Sequence, residues 1–160
     1  MTDVPRSLES PRQLFELTGE TLGTSRWRLI DQQLVNEFAR VTEDEQWIHI
    51  DQEAAAAGPF GGTIAHGYLT LSLCSAMVGE AVSVNGAGMV INYGLDRVRF
   101  PAPAMVGTRI RAHVNVKEAT ERSSGIQGVF EVVIEREGEE KPACVAELVF
   151  RYVLSSASQT

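Results

Sequence analysis

The sequence predicts an α+β fold in which a curved antiparallel sheet wraps around a long central helix, and three observations carry that expectation. Residues 63 to 79 are apolar around the whole helical circumference, so a helix there must be covered on all sides. Three or four extended segments with period-two apolar patterning follow it, and only one precedes it. Helices and strands segregated in this way along 160 residues point to one α+β domain, residues 1 to 160, with an ordered core from about 10 to 154, rather than to alternating β-α units.

In chain order, residues 1 to 9 read as a loose tail containing Pro5. Ser10 is placed to cap a short helix, with Pro11 in its first turn, Leu14, Phe15 and Leu17 as apolar contacts and Gly19 closing it. Residues 22 to 30 read as a strand anchored by Trp27. Asp31 then caps a helix over 32 to 41, in which Leu34, Val35, Phe38 and Val41 recur at helical spacing opposite a polar face. The alanine run Ala54 to Ala57 is long enough for about one helical turn, and Gly58-Pro59-Phe60-Gly61-Gly62 breaks it. That loop lacks the lysine and hydroxyl residue of a phosphate-binding loop, so its glycines are read as turn chemistry.

The helix over 63 to 79 carries Leu69, Leu71, Leu73, Met77 and Val78 between small Ser72, Ser75 and Ala76. Met89 to Phe100 reads as extended, with a change of apolar parity that predicts a bulge near Gly94; Pro101 and Pro103 end it. From Thr108 to Lys117, Ile110, Ala112, Val114 and Val116 alternate with polar residues. Residues 126 to 135 and 143 to 153 repeat the pattern with Ile126, Phe130, Val132 and Ile134, then Cys144, Ala146, Leu148, Phe150 and Tyr152. The connections at 122–125 and 137–140 are short enough for hairpins. The residues after Leu154 read as an unstructured tail. A lone curved sheet leaves an open edge, so a homodimer is expected.

Composition excludes several classes. A formal net charge of -7 with no basic cluster disfavours nucleic acid and anionic membrane surfaces as partners. Residues 64 to 79 hold no formal charge unless His66 is protonated, yet a membrane span needs about 20 apolar residues, and this run ends at Glu80. Cys74 and Cys144 show neither metal-type spacing nor a disulfide framework, which fits a reducing cytoplasm. The N-terminus has no basic region followed by an apolar core, so no secretory signal is expected.

Chemistry concentrates in Asp44-Glu45-Gln46-Trp47-Ile48-His49. On a helix Asp44 and His49 would lie about 140° apart, and on a strand about 16 Å apart, so only a compact loop brings them together. Trp47 and Ile48 are the expected buried anchors of that loop. A carboxylate and an imidazole so held could address one water, the histidine moving protons and the aspartate fixing its orientation and charge. Taken alone, the pair is also what an ordinary surface loop contains. Gly67 adds weight: in the first turn of a helix it costs roughly 1 kcal/mol against alanine, and it leaves an N–H open at the positive end of the helix dipole. A thioester or enolate oxygen could bind there. The competing reading is that Gly67 only allows close packing on the sheet. His66 is a second proton-transfer candidate, although a histidine in a buried first turn is more often a core residue with its nitrogens satisfied, and His113 falls on the wet face of its strand, where only solvation is expected.

The stretch Asp44 to His49, followed by Ala65-His66-Gly67-Tyr68-Leu69, Asn92-Tyr93-Gly94-Leu95 and Arg97-Val98-Arg99-Phe100-Pro101, resembles the MaoC-like dehydratases, the (R)-specific enoyl-CoA hydratases of the hydratase 2 type. The resemblance runs from about Leu14 to Leu154. It implies a hot-dog fold, a homodimer and reversible hydration of a trans-2-enoyl-CoA to a (3R)-hydroxyacyl-CoA. It assigns catalysis to Asp44 and His49 and an oxyanion-binding N–H to Gly67. No metal or redox cofactor is implied; CoA or an acyl carrier arrives as part of the substrate. Arg97 and Arg99 are the nearest candidates for CoA phosphates, although arginines on a strand are more commonly surface charge. Where the wider family has glycine before the aspartate and Asn-Pro before the last two motif residues, this chain has Glu43, Gln46 and Trp47, a version resembling a single-domain subgroup. Two other functions suit the residues: an acyl-CoA thioesterase on the same fold, and a non-catalytic acyl-thioester binding subunit. The presence of both Asp44 and His49 speaks against the second.

Overall fold

The structure, a computed structural model, describes residues 5–154. A short strand β1 (Arg6–Leu8) and a 3-10 helix (Pro11–Phe15) lead into β2 (Thr21–Thr24) and β3 (Arg28–Leu29). Three helices follow, α1 (Gln32–Thr42), α2 (Trp47–Ile50) and α3 (Gln52–Ala56), and then the long α4 (Gly67–Ala81). The chain ends in β4 (Val82–Val84), β5 (Ala87–Arg99), β6 (Arg109–Arg122), β7 (Gly125–Arg136) and β8 (Cys144–Leu154). The main sheet is antiparallel in the order β2-β6-β7-β8-β5, with β3 beside β2 on the same flank of β6.

The alternating residues named above in β6, β7 and β8 are all buried. Most of them close over Leu69, Cys74, Met77, Val78 and Ala81 of α4 in one apolar core. The bulge expected near Gly94 is present as a register shift between Asn92 and Gly94 where β5 pairs with β8. β6 runs five residues beyond Lys117 to Arg122, because a register shift between Val116 and Glu118 absorbs the broken alternation. Helix α1 forms as expected, with the Asp31 carboxylate accepting the Leu34 N–H at 2.8 Å.

Several expectations are corrected. The strand over 22 to 30 is two short strands separated at Ser25. Buried Ser25 exchanges hydrogen bonds with Ala112, its N–H reaching the Ala112 carbonyl at 2.9 Å and its Oγ accepting the Ala112 N–H at 2.8 Å. Trp27 is only half-buried and lies under the Arg111 guanidinium, 4.4 Å from its ring centre. On α1 the buried pair is Val35 and Ala39, while Val41, at the last turn, is 71% exposed. Part of the supposed N-terminal tail is β1, which pairs in parallel with β4. The C-terminal tail expected after Leu154 lies outside the described residues.

The helix expected from residue 63 begins at Gly67, because Thr63 to His66 are drawn out straight: Ile64 bridges Met105, and the Ala65 N–H reaches the Ala104 carbonyl at 2.8 Å. Nor is α4 covered on all sides. Tyr68, Ser72, Ser75, Ala76 and Gly79 face outward. At its far end Glu80 is gripped by Arg26 and Arg28 at 3.0 and 2.8 Å, which ties the helix to the β2–β3 flank. Burial alone would push that carboxyl up, and the two guanidinium groups overcome it and hold Glu80 below the usual carboxylate range. Among the described residues no helix is long and apolar enough to cross a membrane.

Candidate active site

Two segments laid side by side build the site. α1 ends on Glu43 in the left-handed region, φ 59° and ψ 20°. A glycine would hold this turn without the roughly 1–2 kcal/mol that a Cβ costs there. The turn throws the chain outward through Asp44 to Gln46 and into α2, where the His49 N–H bonds to the Gln46 carbonyl at 3.0 Å. Trp47 occupies the first helical position of α2, the place that tolerates a proline. The second segment is the straight run Thr63 to His66, which docks on the first: the Ile64 N–H reaches the Ile48 carbonyl at 3.1 Å.

Side chains complete the lacing. His49, 7% exposed, uses Nδ1–H to bond the Ile64 carbonyl at 2.8 Å, which leaves Nε2 as its bare, basic nitrogen. His66 uses Nε2–H to bond the Asp44 carbonyl at 2.9 Å, and its Nδ1 finds no protein partner among the described residues. The two imidazoles stack, with ring centres 3.7 Å apart and planes inclined by 25°. From α1, the Gln32 amide bonds the His49 carbonyl at 2.7 Å and accepts the Thr63 hydroxyl at 2.6 Å. The His49 pKa lies below its ordinary value: burial lowers it most, the bond to Ile64 opposes that, and His66 lowers it further against the pull of Asp44.

Asp44 and His49 are thus brought together, with His66 as a third member: a carboxylate oxygen and one nitrogen of each ring lie within 4.8 Å of one another. Gly67 stands next in the chain to His66, at the first residue of α4. Its N–H bonds no backbone carbonyl among the described residues. The packing reason for a glycine is present as well, since a Cβ there would lie 3.0 Å from the Phe100 ring. A carboxylate and two imidazoles can ligate a metal, and each ring here already spends one nitrogen on a carbonyl, as metal ligands do. Planes so nearly parallel, however, meet far beyond the ~2.1 Å at which an imidazole nitrogen binds a first-row metal. The arrangement fits proton transfer to and from a water better.

The anchors expected of this loop are corrected. Trp47 is 43% exposed, lying against Gly58, and Ile48 is half-buried; hydrogen bonds from the 63–66 segment hold the turn instead. His113 is bonded to Glu135 at 2.5 Å rather than merely solvated. Gln32 and Thr63 carried no signal in the sequence, since a glutamine on a wet helix face and a threonine after two glycines are unremarkable. Farther along α4, Ser75, Val78 and Gly79 line a groove of about 370 Å³ with Val90 and Asn92 of β5 and Phe150 and Tyr152 of β8. Arg97 and Arg99 lie instead on another surface hollow, beside Glu131 and Glu147.

Comparison with known proteins accounts for the architecture. The family described as MaoC like domain matches residues 14–137. The chain is 48% identical over 149 residues to the 3-hydroxyacyl-thioester dehydratase Z of Mycobacterium tuberculosis, covering 92% of this chain and 99% of that protein. Among solved structures, a monoamine oxidase regulatory protein from Archaeoglobus superposes with a TM-score of 0.75 at 20% identity over 95% of this chain and 99% of its own. The (R)-hydratase of A. caviae involved in PHA biosynthesis superposes with a TM-score of 0.68 at 27% identity over 81% of this chain and 94% of its own.

Proposed function

The chain belongs to the MaoC-like dehydratase family, and we propose that it is a hydro-lyase that interconverts a trans-2-enoyl thioester and the (3R)-hydroxyacyl thioester. The meeting of Asp44 and His49 beside the open Gly67 amide supports this most. The thioester carbonyl accepts the Gly67 N–H, reinforced by the positive end of α4, and negative charge developing on that oxygen is stabilised where it forms. Asp44 and His49 hold one water. His49 Nε2 takes its proton as the oxygen attacks C3, and the same imidazolium returns a proton to C2. Run backward, the steps expel water from the hydroxyacyl thioester. One site therefore serves the dehydration named for the mycobacterial relative and the hydration named for the A. caviae enzyme.

The groove along α4, where Val78, Val90 and Phe150 supply apolar wall beside polar Ser75 and Asn92, can take an acyl tail: Ser75 is eight residues past Gly67, about 12 Å along the helix. The thioester is common to CoA and acyl-carrier substrates, and (R) stereochemistry is carried over from the A. caviae enzyme. We also propose a homodimer joined through the free edge of β5. Among the described residues β5 pairs only with β8, and it exposes Met89, Val90, Ile91, Tyr93 and Leu95 along 13 residues.

Loss of enoyl absorbance from crotonyl-CoA tests the reading. Asp44→Asn and His49→Gln should each lower kcat by about 10²- to 10⁴-fold, the first with an unchanged melting temperature and the second with a folded chain at most about 1–3 kcal/mol less stable. An inert wild type, near wild-type rates in both variants, or release of free CoA thiol from acyl-CoA would overturn it.

A further inference from the structure

We propose that His66 is a positioning residue for this reaction: its Nε2–H, bonded to the Asp44 carbonyl, holds residue 44 so that the Asp44 carboxylate and the His49 ring address one water. The inference rests on the hydro-lyase reading above and adds a residue to it.

Asp44 is exposed on a turn that has just left α1 through a left-handed residue, and its carboxylate accepts no hydrogen bond from a protein donor among the described residues. What fixes its place is the backbone, and the bond that reaches that backbone from the other segment comes from His66, 22 residues away, at 2.9 Å. His66 also lies flat against His49 and is backed by the Phe38 ring of α1, 5.1 Å away. It directly precedes the Gly67 amide. One side chain therefore touches both members of the acid/base pair and sits at the root of the oxyanion donor. Simple packing does not explain a histidine here. At 2% exposure it buries an Nδ1 with no protein partner among the described residues, which costs about 1–3 kcal/mol, where a phenylalanine or leucine would cost nothing of the kind. A carboxylate that drifts by about 1 Å from its working place loses on the order of 10²-fold in rate.

His66→Phe keeps a stacked ring and removes the donor; His66→Gln removes the ring and keeps an amide that can reach the Asp44 carbonyl. With crotonyl-CoA, His66→Phe should lose about 10- to 100-fold in kcat with KM within about threefold, and His66→Gln should recover most of it. The acidic limb of kcat should also move to higher pH in His66→Phe. The titratable groups that act on His49 are Asp44 and His66, and α1 offers it only the neutral Gln32 amide. Removing His66 thus removes a group that opposes protonation of His49. Wild-type kcat in His66→Phe, or a glutamine variant no better than the phenylalanine one, overturns the proposal. ¹⁵N spectra of the wild-type side chains decide the matter even if a variant fails to fold: His66 must carry its proton on Nε2, and the Nδ1–H tautomer sinks the idea. A wild type without turnover sinks the hydro-lyase reading first and this inference with it, whereas an active wild type with indifferent His66 variants sinks the inference alone.

Discussion

The β6–β8 side of the molecule and the side formed by β5, the start of α4 and the 44–50 turn are built on opposite principles. On the first, every alternating apolar residue is buried, and the wet face is closed by Arg111 with Glu135 and Lys117 with Glu147. On the second, Tyr68, Met89, Val90, Tyr93 and Phe100 are left open, and the groups placed with most care are two imidazoles, a carboxylate and an amide. Apolar burial is non-directional and sums to stability; hydrogen bonds are directional and fix atoms in place. One side holds the fold, and the other holds a geometry and an open apolar surface.

That contrast can be broken where it is strongest. Phe130 is wholly buried, with Phe150 and Tyr152 at 5.6 and 6.4 Å and Gly128 making room for its ring. Phe130→Ala should cost about 3–5 kcal/mol in denaturant unfolding and leave kcat of the folded fraction unchanged. A comparable loss of stability from Asp44→Asn, which changes an exposed carboxylate and should lose rate alone, would erase the distinction between the two sides.

A smaller effect tests the open side. Ile91→Lys with Tyr93→Lys places two charges on the exposed edge strand, 38% and 56% open in the single chain. Light scattering should show a wild-type dimer and a variant monomer of near-normal thermal stability. A wild-type monomer, or a variant dimer, would mean that this apolar edge serves something else.

The smallest expected effect is a shift along the pH axis. In the proposed mechanism His49 acts as base when neutral, and burial first, with His66, holds its pKa below the ordinary imidazole value of about 6.5. The rate should therefore hold through neutral pH and fall only as pH drops through that lowered value. The sign for stability is the same: a depressed folded pKa contributes stability that is present above the unfolded value and lost as pH falls through the folded one. An acidic limb above pH 7 would show that the Ile64 bond and the Asp44 charge outweigh burial at His49.

The core strands were legible because alternation over ten residues has one economical solution, and Ile110 to Val116 and Cys144 to Tyr152 point where their parity says. Parity says nothing about a serine that takes a strand residue's place, so the break at Ser25 was not visible. Trp27 was misjudged for a related reason: size and aromaticity suggested a core anchor, whereas Arg111 makes a half-exposed ring stable. In the site, Asp44, His49 and Gly67 stood out by residue type and order. Gln32 and Thr63 did not, since their roles depend on which carbonyls another segment brings within reach.

By itself the sequence determined a helix-and-sheet architecture, the inward face of β6, β7 and β8, and a short polar motif of acid/base residue types. These follow from period and composition, which act over neighbouring residues. Only the tertiary structure decided that α4 begins at Gly67, that one flank of that helix is left bare, and that His66 joins Asp44 to His49. Each of those outcomes depends on contacts between segments tens of residues apart, and no local pattern encodes where a distant carbonyl will lie.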